Sequence, residues 1–83
     1  MRRLRVGIEA LQSDNLDEAE KVFLNILSLN SSDVHSLHFL GVVFCQKGNL
    51  DDGIALIEQS IRLDPSRFGP YLNLGRFLVG ANR

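Results

Sequence analysis

Eighty-three residues with nine basic and ten acidic side chains, a formal net charge of −1, make one small domain at most. That even balance carries no global basic field to steer the chain onto nucleic acid or an anionic membrane surface. A single cysteine, Cys45, excludes an intramolecular disulfide, and the longest apolar runs fall far short of a membrane span.

Five helices are predicted, with ends uncertain by about 2–4 residues. The first runs over 2–13; its basic start, Arg2-Arg3-Leu4-Arg5, is followed by no long apolar stretch, which argues against a secretory signal. Asn15, three residues before Glu18, reads as a cap and a first-turn carboxylate for a second helix over 16–29. Ser32 is expected to cap a third helix over 33–47, where Leu37, Leu40 and Phe44 recur on one face. Asn49 and Asp52 repeat the cap signal for a fourth helix over 50–63, whose Leu50, Ile54, Ile57 and Ile61 form a stripe. Pro65 and Gly69-Pro70 punctuate the last connection, with Ser66 as the expected cap of a fifth helix over 67–80. A proline is tolerated in a first helical turn because its missing donor has no partner there. No strand pattern, linker or low-complexity segment competes, and the short connections make neighbouring helices antiparallel.

The sequence also matches itself at a shift of thirty-four residues. Gly7, Gly41 and Gly75 fall in register, as do Val6, Leu40 and Leu74 before them. Asn15-Leu16-Asp17 aligns with Asn49-Leu50-Asp51, Leu29 with Leu63, and Ser32 with Ser66. These are turn, cap and small-residue positions, and a period of about 34 belongs to helix–turn–helix units that stack on one another.

The same residues resemble the tetratricopeptide repeat. The middle unit carries most of the pattern: Leu37 where the family often has a large aromatic, then Leu40-Gly41, Phe44, Gly48 at the turn and Pro65 at the exit. The first unit matches at Gly7, Ala10, Leu16, Ala19 and Phe23; the third begins with Tyr71, Leu74-Gly75 and Leu78 and stops after one helix. The units are 1–33, 34–67 and a partial or capping 68–83. Departures are Gly53 for the small alanine, Arg3 for an aromatic and Ser31 for the exit proline. The resemblance implies an all-α, right-handed superhelix of antiparallel helix pairs. A finer likeness, in Leu16 to Glu20, Val34 to Gly41 and Tyr71 to Gly75, is to repeats that precede a separate catalytic domain in bacterial proteins similar to O-linked N-acetylglucosamine transferases. Nothing of such a domain is present in these residues.

In such an array the first helix of each unit lines a concave face. Here it would carry Arg5, Ile8 and Gln12, then His35, His38, Phe39, Val42, Cys45 and Gln46, then Leu72, Asn73 and Arg76. An apolar centre with polar flanks suits an extended or helical peptide. The family's carboxylate clamp is not expected, since Leu4, Ile8 and Phe39 stand at its places. Of the asparagine ladder that grips a peptide backbone only Asn73 survives, with Arg5 and Phe39 on the other rungs.

Sharper chemistry is weighed against blander readings. His35 and His38 lie one turn apart, but Cys45 is about 15 Å further along the helix than His35, too far to close one metal shell. Cys45 and His38 are about 10 Å apart by axial rise, too far for a nucleophile and its base. Both histidines therefore read as exposed groove residues. Asp17/Glu18 and Asp51/Asp52 read as helix-start charges. The expectation is a non-catalytic, cytoplasmic protein-interaction scaffold with no cofactor, no metal, and no nucleic-acid or membrane partner. The last helix is apolar on most sides, where a finished array is polar. Either a further helix of a longer protein covers it, or Phe68, Leu72, Phe77 and Val79 pair with a second copy.

Overall fold

In the computed structural model, which describes residues 2–81, five helices follow one another: α1 Arg2–Gln12, α2 Leu16–Leu29, α3 Val34–Gln46, α4 Leu50–Leu63 and α5 Phe68–Ala81. Met1, Asn82 and Arg83, the ends of the first and third predicted units, lie outside the described residues. No strand occurs among the described residues, so the all-α expectation holds, and each predicted helix end lies within one residue of the observed one.

The thirty-four-residue period reappears in the turns. Asp14 and Gly48, one period apart, both hold left-handed backbone, with φ of 61° and 93°. The next amide then reaches back over the helix end: Asn15 N–H donates to the Ala10 carbonyl at 2.8 Å and Asn49 N–H to that of Phe44 at 2.9 Å. Glycine meets this backbone without steric cost, and aspartate is among the few side chains that tolerate it.

Between the helix pairs, Asn30 and Asp64, also one period apart, each accept a backbone N–H two residues on, from Ser32 at 3.1 Å and Ser66 at 3.2 Å. These are side-chain-closed turns, and they correct the expectation for the serines: Ser32 and Ser66 close turns rather than cap helices. The cap of α3 is Asp33, whose Oδ1 accepts Ser36 N–H at 2.9 Å. Asn15 caps α2 as expected, by accepting Glu18 N–H at 3.4 Å. Asn49 does not cap α4 in that way; its side-chain amide donates to the Asp52 carboxylate at 3.1 Å. At the start of α5 the Tyr71 hydroxyl donates to the Pro65 carbonyl at 3.0 Å, and the Pro70 ring is buried in the first turn.

Small residues decide how closely the helices approach. A Cβ at Gly41 would lie 2.6 Å from the Gly53 carbonyl oxygen, and one at Gly53 equally close to that of Gly41. Gly41 with Ile57, and Cys45 with Gly53, fix α3 and α4 as antiparallel. In the first pair the Phe23 ring covers Gly7, at 2.6 Å from a built Cβ, beside the buried Ala19. Gly75 is the third glycine in register, yet a Cβ there would meet nothing within 4 Å.

Helix α3 supplies both halves of the core. Its Leu40 and Val43 pack with Ala19 and Phe23 of α2, and Leu4, Ile8 and Leu11 of α1 close over them. From the other side its Val42 and Cys45 pack with Ile57 of α4, with Leu74 and Phe77 of α5 against them. The odd-numbered helices touch in series, α1 with α3 and α3 with α5, whereas α2 and α4 do not touch. That is a one-dimensional stack, tighter along the row of odd helices. Lys47, at the end of α3, ties the pairs together through Asp17 at 2.6 Å and Glu20 at 2.8 Å of α2. Those contacts hold the Asp17 carboxyl below its usual range, through the hydrogen bond from Lys47 and then its charge.

The two in-register glycines should therefore answer alanine with opposite signs. Gly41→Ala is expected to cost about 2–3 kcal/mol by forcing α3 off α4, while Gly75→Ala should gain up to about 1 kcal/mol of helix propensity. Urea unfolding of both variants checks this; equal effects would mean that the α3–α4 crossing is not the tight one.

Candidate functional site

The residues expected to line a groove separate into two groups. Arg5, Gln12, Gln46, Leu72 and Arg76 are exposed, and Ile8, His35, Phe39 and Asn73 are half-buried. His38 and Val42 are buried, at 2% and 4% exposure, and Cys45 with them. This corrects the reading of His38 as an exposed groove histidine and of Val42 as part of an open apolar centre. The cause is α5, which lies against this face of α3 where the sequence reading left it open: Gly69 approaches the His38 ring, and Leu74 and Phe77 pack over Val42 and Cys45. What remains accessible is a strip of half-buried residues, Ile8, Phe39 and Asn73, on the adjoining helices α1, α3 and α5, with Arg5 and Arg76 exposed on the outer two.

At the Asn73 end the strip carries a part-buried polar contact to the buried His38. The side-chain amide nitrogen of Asn73 lies 2.7 Å from Nε2 of His38. With the amide so oriented it donates to Nε2 and the ring carries its proton on Nδ1; with the amide reversed, the roles swap. In both arrangements Nδ1 is buried with no hydrogen-bond partner in the structure. Burial, reinforced by the nearby charges of Arg67 and His35, pushes the His38 pKa down from 6.5 to about 4. The ring also stacks on Phe39 at 4.6 Å, and Phe39 on Phe23 at 5.9 Å, so the centre of the strip is continuous with the core.

Burial raises the Cys45 thiol above its ordinary pKa, the opposite of what a nucleophilic thiolate needs. Among the described residues no group of three or more His, Cys, Asp or Glu side chains is placed to hold a metal ion. No helix among them is long and apolar enough to cross a membrane.

The face expected to self-associate is sharper than the sequence reading drew it. Phe68, Leu72 and Val79 are 74%, 59% and 72% exposed. Phe77 is not among them: it packs into the second core cluster, with the Arg76 guanidinium 5.0 Å over its ring, which corrects its assignment. Tyr71 and Leu78 are exposed in its place. Around Gly75 lies a shallow depression of about 710 Å³, lined by Tyr71, Leu72, Asn73, Arg76 and Val79. Two smaller hollows of about 400 and 330 Å³ flank α1 and share Arg2 and Arg3; Arg5, Ile8 and Gln12 line neither. The sequence reading counts Tyr71 and Leu78 among the apolar residues of the last helix but leaves them, and Gly75, off the self-association face. The signal that would have found them is the spacing of apolar residues on either side of Gly75.

No family model matches the chain, and no curated protein matches it significantly.

The His38 shift has a testable sign. A folded state that resists protonation gains stability above the unfolded-state pKa of 6.5 and loses it as the pH falls towards about 4. The expected slope is about 1.4 kcal/mol per pH unit across that window. Urea unfolding at a series of pH values should show this decline, and His38→Leu should flatten it; an equal slope in the variant would place the titration elsewhere.

Proposed function

We propose that this chain is a non-catalytic protein-interaction scaffold of the tetratricopeptide-repeat kind, which takes a peptide or protein segment along the row formed by α1, α3 and α5. The observation that carries this reading is the repeated geometry: two helix pairs with a left-handed turn position, a side-chain-closed turn and a glycine under the partner helix, each one period apart. Stacked helical repeats of this sort offer extended surfaces rather than enclosed pockets. The strip's chemistry suggests a ligand with an apolar residue for the Ile8–Phe39 centre and acidic residues towards Arg5 and Arg76. On the resemblance, such a scaffold is a cytoplasmic segment of a larger bacterial protein and works without cofactor, nucleic acid or membrane.

Peptides enriched from a random display library should bind the strip. They are expected to lose at least about tenfold in affinity to the Gln46→Glu/Arg76→Glu double variant, the loss of a charge contact plus a new repulsion. Phe39 is a poor choice of test residue because it stacks into the core. Unchanged binding to a double variant of unchanged melting temperature would move the ligand off this surface.

A second reading, assembly through α5, is favoured by the exposed apolar face around Gly75. In that reading the chain forms a homodimer.

A further inference from the structure

We infer that α5 pairs with α5 of a second copy of this chain, antiparallel, about a two-fold axis that passes Gly75. This rests on the assembly reading above and adds its geometry.

The outward stripe of α5 is Phe68, Tyr71, Leu72, Gly75, Leu78 and Val79. Apart from Phe68, it is symmetric about Gly75. Leu72 and Leu78 lie three residues to either side, and Tyr71 and Val79 lie four to either side. Three and four residues are the steps that keep side chains on one helical face. An antiparallel helix laid across this stripe therefore sets Leu72 against Leu78 of the second copy, Tyr71 against its Val79, and glycine against glycine at the axis. A two-fold contact demands such self-complementarity.

The depression at Gly75 admits the approach. At the two other in-register glycines another helix fills this space, Phe23 over Gly7 and Gly53 against Gly41. At Gly75 the space is open. The amount of surface is sufficient. The exposed parts of these aromatic and aliphatic side chains come to about 500 Å² per copy, so their complete burial in a pair would remove about 1,000 Å² in all, where specific interfaces begin. Charge points the same way. The only charged residue of α5 is Arg76, which lies on the flank over its own Phe77 ring. The stripe itself is neutral, and although Arg76 borders the depression, its guanidinium is drawn to the flank over the Phe77 ring, so a second copy meets apolar side chains at the centre.

The test is sedimentation equilibrium of the full chain from micromolar to millimolar, with cysteine cross-linking in a Cys45→Ala background. The expected result is a monomer–dimer equilibrium that Gly75→Arg weakens by about 100-fold or more, by placing two like charges at the axis. Because nothing packs on Gly75, that variant should keep its helicity when dilute. Gly75→Cys should form a disulfide-linked dimer, and Leu72→Cys should cross-link with Leu78→Cys far better than with itself. A monomer at every concentration overturns both the pairing and the assembly reading. A dimer that Gly75→Arg leaves intact, or one in which Leu72→Cys links best to itself, overturns the antiparallel register alone. Peptide binding to the strip, measured on Gly75→Arg, is a separate outcome and belongs to the groove reading.

Discussion

The structure depends on the crossing of α3 and α4 at Gly41 and Gly53. There two helices meet backbone to backbone, at a separation that a single methyl group on either would disturb. That closeness brings Ile57 and Cys45 fully under cover and sets the tilt at which α4 leaves α3. α5 docks on the cluster so formed. The first pair solves the same problem with a ring on a glycine, so α1 and α2 meet through the Phe23 side chain rather than through backbone. The two repeats thus carry different versions of the same joint.

What the sequence made legible follows from what is local. Helix ends depend on a few neighbouring residues, and they were placed within one residue because Asn15, Gly48, Asn49 and Pro65 mark them. The caps were less legible for a physical reason. Serine, asparagine and aspartate compete for the same amides, and which one wins depends on turn geometry. Asp33 takes the cap beside Ser32, and Asn30 takes the serine's own amide.

The candidate surface was only half legible. Projecting a helix separates its faces but cannot say how far the next helix will lean across them. His38 and Val42 sit on the expected face, yet α5 covers both. The His38–Asn73 contact spans thirty-five residues, and no local pattern announces it. Conversely, Phe77 looked as exposed as its neighbours because periodicity on α5 is nearly uniform. Only the position of α4 and α3 decides that Phe77 turns inward while Val79 turns out.

Both halves of the core hang on α3, and that gives the molecule an order of opening. α5 packs on the second cluster alone and can lift away without uncovering the first, whereas α1 closes over the first cluster and its Leu11 reaches the second as well. Loss of α3 removes both clusters together. Its amides should be the slowest to exchange with solvent, with protection falling outward on either side. The middle helix is the keystone, and the outer ones are leaves that swing on it.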